Sequence, residues 1–123
     1  MGCSREWPRP PRCTGCARAL EAGEPVDVEV DSVAADSLGA RRATPLAVAA
    51  AQNDLVTSVL VDDEQIIAAR NHLWGEHRLA LEHAAATALA GIHGSAGSGS
   101  YIPAPDEKVC VVLCGANTSL GDL

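Results

Sequence analysis

Hydrophobic and polar positions follow two different periods along the chain, and each period predicts a different element. Residues 55–61, LVTSVLV, form an apolar and β-branched run that is typical of a buried strand. Asp62 is a suitable N-cap for the helix behind it, because apolar side chains recur at three- and four-residue steps over residues 66–74. Gly75 is the expected end of that helix. A second apolar run, Val109–Leu113, predicts a final strand.

Shorter helices are predicted where stop signals and small residues coincide. Gly23 and Gly39 each follow a short helical stretch, and Pro45 is suited to the first position of another. The expected helices cover residues 18–22, 33–38, 45–52 and 83–92. Strands that alternate with helices indicate βαβ units. The pattern therefore predicts an α/β fold, a partial three-layer sheet with mostly parallel strands.

The composition is that of one small globular domain without a polyanionic partner. The 123 residues are 47% apolar and 20% charged, and they include no Phe, so Ala, Val, Leu and Ile must fill the core. The formal net charge is −7. Because binding to a phosphate backbone requires clustered Lys and Arg, we expect no nucleic-acid partner.

The N-terminal residues 1–15 differ from the rest and predict an irregular arm rich in proline. No apolar run is long enough for a membrane span and the N-terminus lacks a signal-peptide core, so a cytoplasmic protein without membrane contact is expected. Five cysteines, an odd number, then favour reduced thiols. Cys13 and Cys16 form a CxxC motif, which leaves a small metal-binding protein as one alternative.

The final apolar run ends abruptly in VCVVLCGANTSL, residues 109–120. In open parallel sheets, ligands bind at the carboxyl ends of strands, which would place Cys114–Asn117 at a ligand-binding edge. The alternative is that Cys114 is a small buried filler and that Gly115 only turns the chain. The pattern alone does not separate these two interpretations.

Three segments in order resemble one family. VDSVAADSLGA (residues 30–40), VTSVLVDDEQIIAARNHLWGEHRLALEHAAATALA (residues 56–90) and VCVVLCGANTSLGDL (residues 109–123) resemble the pyridoxal-phosphate-dependent serine and threonine dehydratases of the tryptophan-synthase-β-like group. The resemblance covers residues 16–123 and implies the C-terminal part of a fold-type-II pyridoxal-phosphate enzyme. Residues 1–15 lie outside it.

The resemblance also implies roles for particular residues. Cys114 takes the place of the family's hydrogen-bonding partner of the cofactor's pyridine nitrogen, Gly115 would let the backbone pass close to the ring, and Asn117 would help to fix the loop. Glu82 matches the acidic residue of the family's Glu-Pro-Ala-Gly-like motif, although His83 replaces its proline. The backbone carbonyls of Leu38 and Ala40 would bind a monovalent cation such as potassium.

The implied activity is deamination of L-serine or L-threonine by β-elimination, in an ammonia-lyase that acts on a small amino-acid substrate and forms homo-oligomers. The family holds its cofactor on a Schiff-base lysine within a Ser-x-x-Asn-Lys-like motif. The single lysine here, Lys108, has no such context, so we expect a fragment without the catalytic lysine, inactive alone. The alternatives are a non-catalytic oligomerisation or regulatory fragment, and the small metal-binding protein of Cys13 and Cys16.

Overall fold

The computed structural model describes residues 15–93, 101–115, 118, 119 and 121. Its five helices are α1 (Gly15–Ala22), α2 (Ala35–Leu38), α3 (Pro45–Ala51), α4 (Asp63–His77) and α5 (His83–His93). Pairing of the β type in this part of the chain is limited to an isolated antiparallel bridge between Asp27 and Arg42, whose side chains also form an ion pair of 3.2 Å.

The predicted α/β fold, with its partial three-layer sheet of mostly parallel strands, is wrong for the described residues, which are helical and contain no sheet. Residues 55–61 and 109–113 have no regular secondary structure beyond a turn at Leu55. A β-branched run favours an extended backbone, but a strand exists only when a neighbouring segment accepts and donates its hydrogen bonds. Both runs consequently keep apolar side chains at the surface, with Leu55 93% and Val112 69% exposed.

The starts of α3 and α4 follow the sequence signals closely. At α3, the Thr44 hydroxyl accepts a hydrogen bond of 3.1 Å from the Ala47 N–H, and Pro45 occupies the first turn. At α4, the Asp62 carboxylate accepts from the Gln65 N–H, and the Gln65 side chain accepts from the Asp62 N–H, each at 2.8 Å. This reciprocal capping box confirms Asp62 as the N-cap.

The end of α4 was predicted wrongly. The helix passes through Gly75 and continues to His77, because a surface glycine weakens a helix without breaking it. Arg78 ends it in the left-handed conformation, with φ of 56°. The Arg78 guanidinium donates to the carbonyls of Trp74 (3.0 Å) and Gly75 (2.9 Å) and lies over the Trp74 ring. These contacts offset part of the strain at a position that favours glycine.

The core lies between α4 and α5, which make the most extensive helix contact of the described chain. Ile66 and Ala69 of α4 pack against Ala86 and Ala90 of α5, and Ala34 closes the cluster. Because alanine side chains are small, the two helices approach closely and the core contains little bulk. No helix among the described residues has the length and apolar character that crossing a membrane requires.

Candidate functional site

Two of the sequence-predicted site residues meet in the structure. Glu82 lies immediately before α5, and Gly115 follows the apolar run 109–113. Gly115 has a φ of 99°, and a Cβ placed there would overlap Oε1, Cδ and Cγ of Glu82, with the Cγ at 2.5 Å. The Glu82 side chain therefore packs directly on the Gly115 backbone. A larger residue at this position would force the Glu82 side chain to move, and glycine adopts this φ without strain.

The Cys114 thiol is exposed and free, next to this contact. The alternative interpretation of Cys114 as a buried filler is therefore wrong. An exposed thiol is accessible to a ligand, and the backbone next to it, at Gly115, is covered by the Glu82 side chain. Asn117, the third residue expected in this loop, lies outside the described residues.

Arg70 holds this region together and was not predicted to do so. It is 4% exposed and lies on α4. Its Nε donates to the Leu81 carbonyl and its Nη2 to the Thr118 hydroxyl, both at 2.9 Å. The Thr118 hydroxyl in turn donates to the Leu81 carbonyl at 3.2 Å. The available signal in the sequence was an arginine at a helical step that otherwise carries apolar residues.

Leu38 and Ala40 lie at a different place, in the wall of a cavity of about 290 Å³. The segments 30–34 and 59–63 and the start of α4 form other walls. Asp63 is the acidic residue of this lining, and its carboxylate accepts hydrogen bonds from the Ser32 hydroxyl (2.6 Å) and the Val33 N–H (3.3 Å). Cation binding by the carbonyls of Leu38 and Ala40 stays a prediction.

The remaining candidate residues belong to other segments of the chain. Lys108 is exposed in the segment that leads to the final apolar run. Cys16 is an exposed free thiol of α1, whereas Cys13 lies outside the described residues. Within the described ranges, no group of three or more His, Cys, Asp or Glu side chains could hold a metal ion.

A polar clasp shapes the segment between α5 and the final apolar run. The Tyr101 N–H donates to the Gly91 carbonyl at 2.7 Å, and the Ala104 N–H donates to the Glu107 carboxylate at 3.0 Å. The Tyr101 hydroxyl also donates to the Glu107 carboxylate. This last hydrogen bond is the main cause that lowers the pKa of Glu107 and raises the pKa of Tyr101. These hydrogen bonds fix the conformation of residues 101–107, which precede the final apolar run and Cys114.

Comparison with known proteins identifies the family. Residues 8–115 match the pyridoxal-phosphate dependent enzymes, which use pyridoxal 5′-phosphate as cofactor. No curated protein and no solved structure matches the chain. The matched range covers most of the 123 residues and includes Glu82, Cys114 and Gly115. A match of this extent shows that the chain belongs to the family of pyridoxal-phosphate dependent enzymes.

Proposed function

We propose that this chain contributes the ring-binding part of a pyridoxal-phosphate-dependent lyase that deaminates L-serine or L-threonine. The observation that carries the proposal is the packing of Glu82 on the Gly115 backbone, beside the exposed thiol of Cys114. This contact joins two segments that are 33 positions apart in the sequence, and both belong to the resemblance to the dehydratases.

The residues present fit one end of the cofactor. Cys114 would hold the pyridine nitrogen, since a thiol is a weak neutral hydrogen-bonding group. Gly115, which lacks a Cβ, makes room for the Glu82 side chain, and Glu82 would thereby fix the conformation of the backbone beside Cys114. When bound, pyridoxal phosphate withdraws electrons from the bonds at the substrate Cα. A neutral partner at the ring nitrogen moderates this withdrawal, which suits elimination better than a carboxylate partner would.

The proposed reaction balances without a further reactant. The substrate loses a proton from Cα and its hydroxyl group from Cβ, so that one water leaves. The resulting enamine gains a proton at Cβ, and a water molecule adds at Cα and displaces ammonia. The products are ammonia and a 2-oxo acid. In this scheme Cys114, Gly115 and Glu82 bind and orient, and none of them transfers a proton.

The amine that holds the cofactor is not assigned to Lys108. This lysine is exposed and lies six residues before Cys114, outside any motif of the family's catalytic lysine. We infer that the amine comes from polypeptide outside these 123 residues. We therefore expect the chain alone, mixed with pyridoxal phosphate, to show no cofactor absorption band that survives dialysis. A stable band that disappears in the Lys108→Ala variant would show that this inference is wrong.

Binding of the ring can be tested without any lysine by using N-phosphopyridoxyl-L-serine, a stable adduct of cofactor and substrate. Titration of the isotope-labelled chain should shift the NMR signals of Cys114 and Gly115. O-phospho-L-serine, which lacks the ring, should leave these signals unchanged. The Cys114→Ala variant should weaken binding, whereas the matched Cys110→Ala variant should not. Equal shifts with both compounds would contradict a ring-binding site.

The reaction itself is tested by the release of a 2-oxo acid and ammonia from L-serine or L-threonine. The assay compares the chain alone with the chain produced together with the polypeptide encoded immediately upstream, each with added pyridoxal phosphate. We expect turnover in the second sample and none in the first. Turnover of another amino acid, with no 2-oxo acid from serine or threonine, would contradict the dehydratase assignment while leaving the family unchanged.

A second candidate function is non-catalytic association with another subunit. The observation that favours it is the exposure of large apolar side chains, which reaches 93% at Leu55 and 81% at Leu46. Surfaces of this kind often mark interaction sites. Light scattering over a range of concentrations tests the candidate, and a monomer at the highest concentration would count against it.

A further inference from the structure

Arg70 is the buried charged residue of the described chain, and its side chain joins three parts of the molecule. It belongs to α4, it donates to the carbonyl of Leu81 beside Glu82, and it donates to the hydroxyl of Thr118 beyond Gly115. We propose that Arg70 is a positioning residue that sets the Glu82–Gly115 contact and thereby the presentation of Cys114. The role in ring binding rests on the function proposed above.

An arginine suits this task for a geometric reason. Its guanidinium is a rigid planar fork, so bonds from Nε and Nη2 reach two acceptors at fixed directions. Burial of such a cation is costly unless its N–H groups find acceptors, which makes both bonds of 2.9 Å important to the local structure. Thr118 also donates to the Leu81 carbonyl, so each of the three groups is hydrogen-bonded to the other two.

Arg70 connects a packed helix, α4, to a segment that is not part of a sheet, residues 109–115. α4 is capped at its start and packs against α5 over the core. Residues 109–115, by contrast, have no regular secondary structure, although Cys114 and Gly115 lie at their end. The Arg70–Thr118 hydrogen bond connects this segment to α4 within a few residues of Gly115. Displacement of a site by about 1 Å can reduce catalysis strongly. A hydrogen bond that fixes the position of this segment would therefore affect activity.

The decisive measurement uses the whole chain without cofactor. In NMR spectra, the Hα protons of Gly115 and the Hγ protons of Glu82 should show a cross-relaxation signal. Arg70→Met keeps most of the side-chain volume but removes the donors, and should abolish this signal. Arg78→Met is the matched control, since Arg78 donates only to carbonyls of its own helix end, and should retain it. Retention of the signal in Arg70→Met would overturn the proposal.

Signals between Ile66 and Ala86 or Ala90 separate positioning from a general structural role. They should persist in Arg70→Met, because the α4–α5 core does not contain Arg70. If they vanish together with the Glu82–Gly115 signal, the milder Thr118→Val variant decides the question. It removes one acceptor of the fork and should weaken the Glu82–Gly115 signal alone. An unchanged signal in Thr118→Val would then overturn the proposal.

Rescue and ligand binding complete the test. Arg70→Lys keeps the positive charge but lacks the planar guanidinium, and should restore the Glu82–Gly115 signal only in part. Full restoration would show that the charge alone suffices and would overturn the role of the guanidinium. Arg70→Met should also lose the response to N-phosphopyridoxyl-L-serine. If the unaltered chain shows no response to that compound, the proposed function fails, whereas the cross-relaxation result still decides the positioning role independently.

Discussion

The helical pair α4–α5 and the two apolar segments 55–61 and 109–115 differ in how their structure is determined. Both regions are rich in apolar residues. The helices satisfy their own backbone hydrogen bonds and bury Ile66 and Ala86 against one another. The segments depend on partners for theirs, and they leave Leu55 and Val112 exposed. The comparison shows that an apolar pattern forms a regular element in two cases. Either the backbone finds its hydrogen-bond partners within the same segment, as in a helix, or a neighbouring strand supplies them.

The largest expected effect tests this comparison directly. Ile66→Ala removes buried volume from the α4–α5 core, where Ile66 is 3% exposed, and should lower the free energy of unfolding by about 3 kcal/mol. Leu55→Ala removes a similar side chain at 93% exposure and should change it by less than about 0.5 kcal/mol. Urea denaturation measures both. Equal losses would show that residues 55–61 are packed in solution and would remove the distinction.

Gly115→Ala should have the next largest effect. The alanine must adopt a φ near 99° and its Cβ would overlap the Glu82 side chain, so we expect a loss of about 2 kcal/mol. In a Glu82→Ala background the overlap disappears and only the backbone strain should remain. A double-mutant cycle by urea denaturation measures this coupling. Additive losses would mean that Glu82 and Gly115 are not in contact.

The cap of α4 offers a smaller and purely local test. Asp62→Ala removes the acceptor for the Gln65 N–H and should lower the free energy of unfolding by about 1 kcal/mol. Asp62→Asn keeps an acceptor oxygen and should cost much less. Thermal denaturation of the two variants provides the measurement. Similar losses in both would show that charge at the helix start, rather than the capping box, stabilises α4.

The smallest effect concerns pH and the clasp of Tyr101 and Glu107. The hydrogen bond lowers the pKa of Glu107, so its contribution is present above the ordinary glutamate pKa and is lost as pH falls through the lowered value. The raised pKa of Tyr101 acts in the opposite sense, and that contribution is lost as pH rises through the raised value. An NMR titration of Glu107 should show its pKa returning toward the ordinary range in Tyr101→Phe, but not in Lys108→Ala. An unchanged Glu107 pKa in Tyr101→Phe would assign the shift to another cause.

The helices could be predicted from the sequence because their signals are short-range. Pro45 and Asp62 were predicted at helix starts, and the structure places Pro45 in the first turn of α3 and Asp62 at the N-cap of α4. The end of α4 was predicted wrongly because a glycine only weakens a helix. The hydrogen bonds from the Arg78 side chain to the carbonyls of Trp74 and Gly75 stabilise the last turn, so the helix continues past Gly75. The sheet was predicted wrongly, because an apolar run does not show whether a partner strand is present, and strand pairing is a long-range property.

The contact between Glu82 and Gly115 joins two residues that the sequence indicated, whereas the role of Arg70 beside them was not predicted. Glu82 and Gly115 were selected from a resemblance to a family, and the structure brings them into contact. The role of Arg70 could not be predicted, because the sequence shows only an arginine among apolar helix positions. Two of its partners are a backbone carbonyl and a threonine 48 residues away, and neither leaves a recognisable pattern in the sequence.

The exposure of three thiols, at Cys16, Cys110 and Cys114, has a practical consequence for any study of self-association. Air oxidation can link such groups between molecules, because each sulfur atom is accessible to solvent. A covalent dimer formed in this way would mimic the non-catalytic association considered above. A dimer linked through Cys114 would also block the sulfur proposed to meet the cofactor ring. Preparations kept under a reductant, compared with alkylated material, distinguish an oxidation product from a genuine subunit contact.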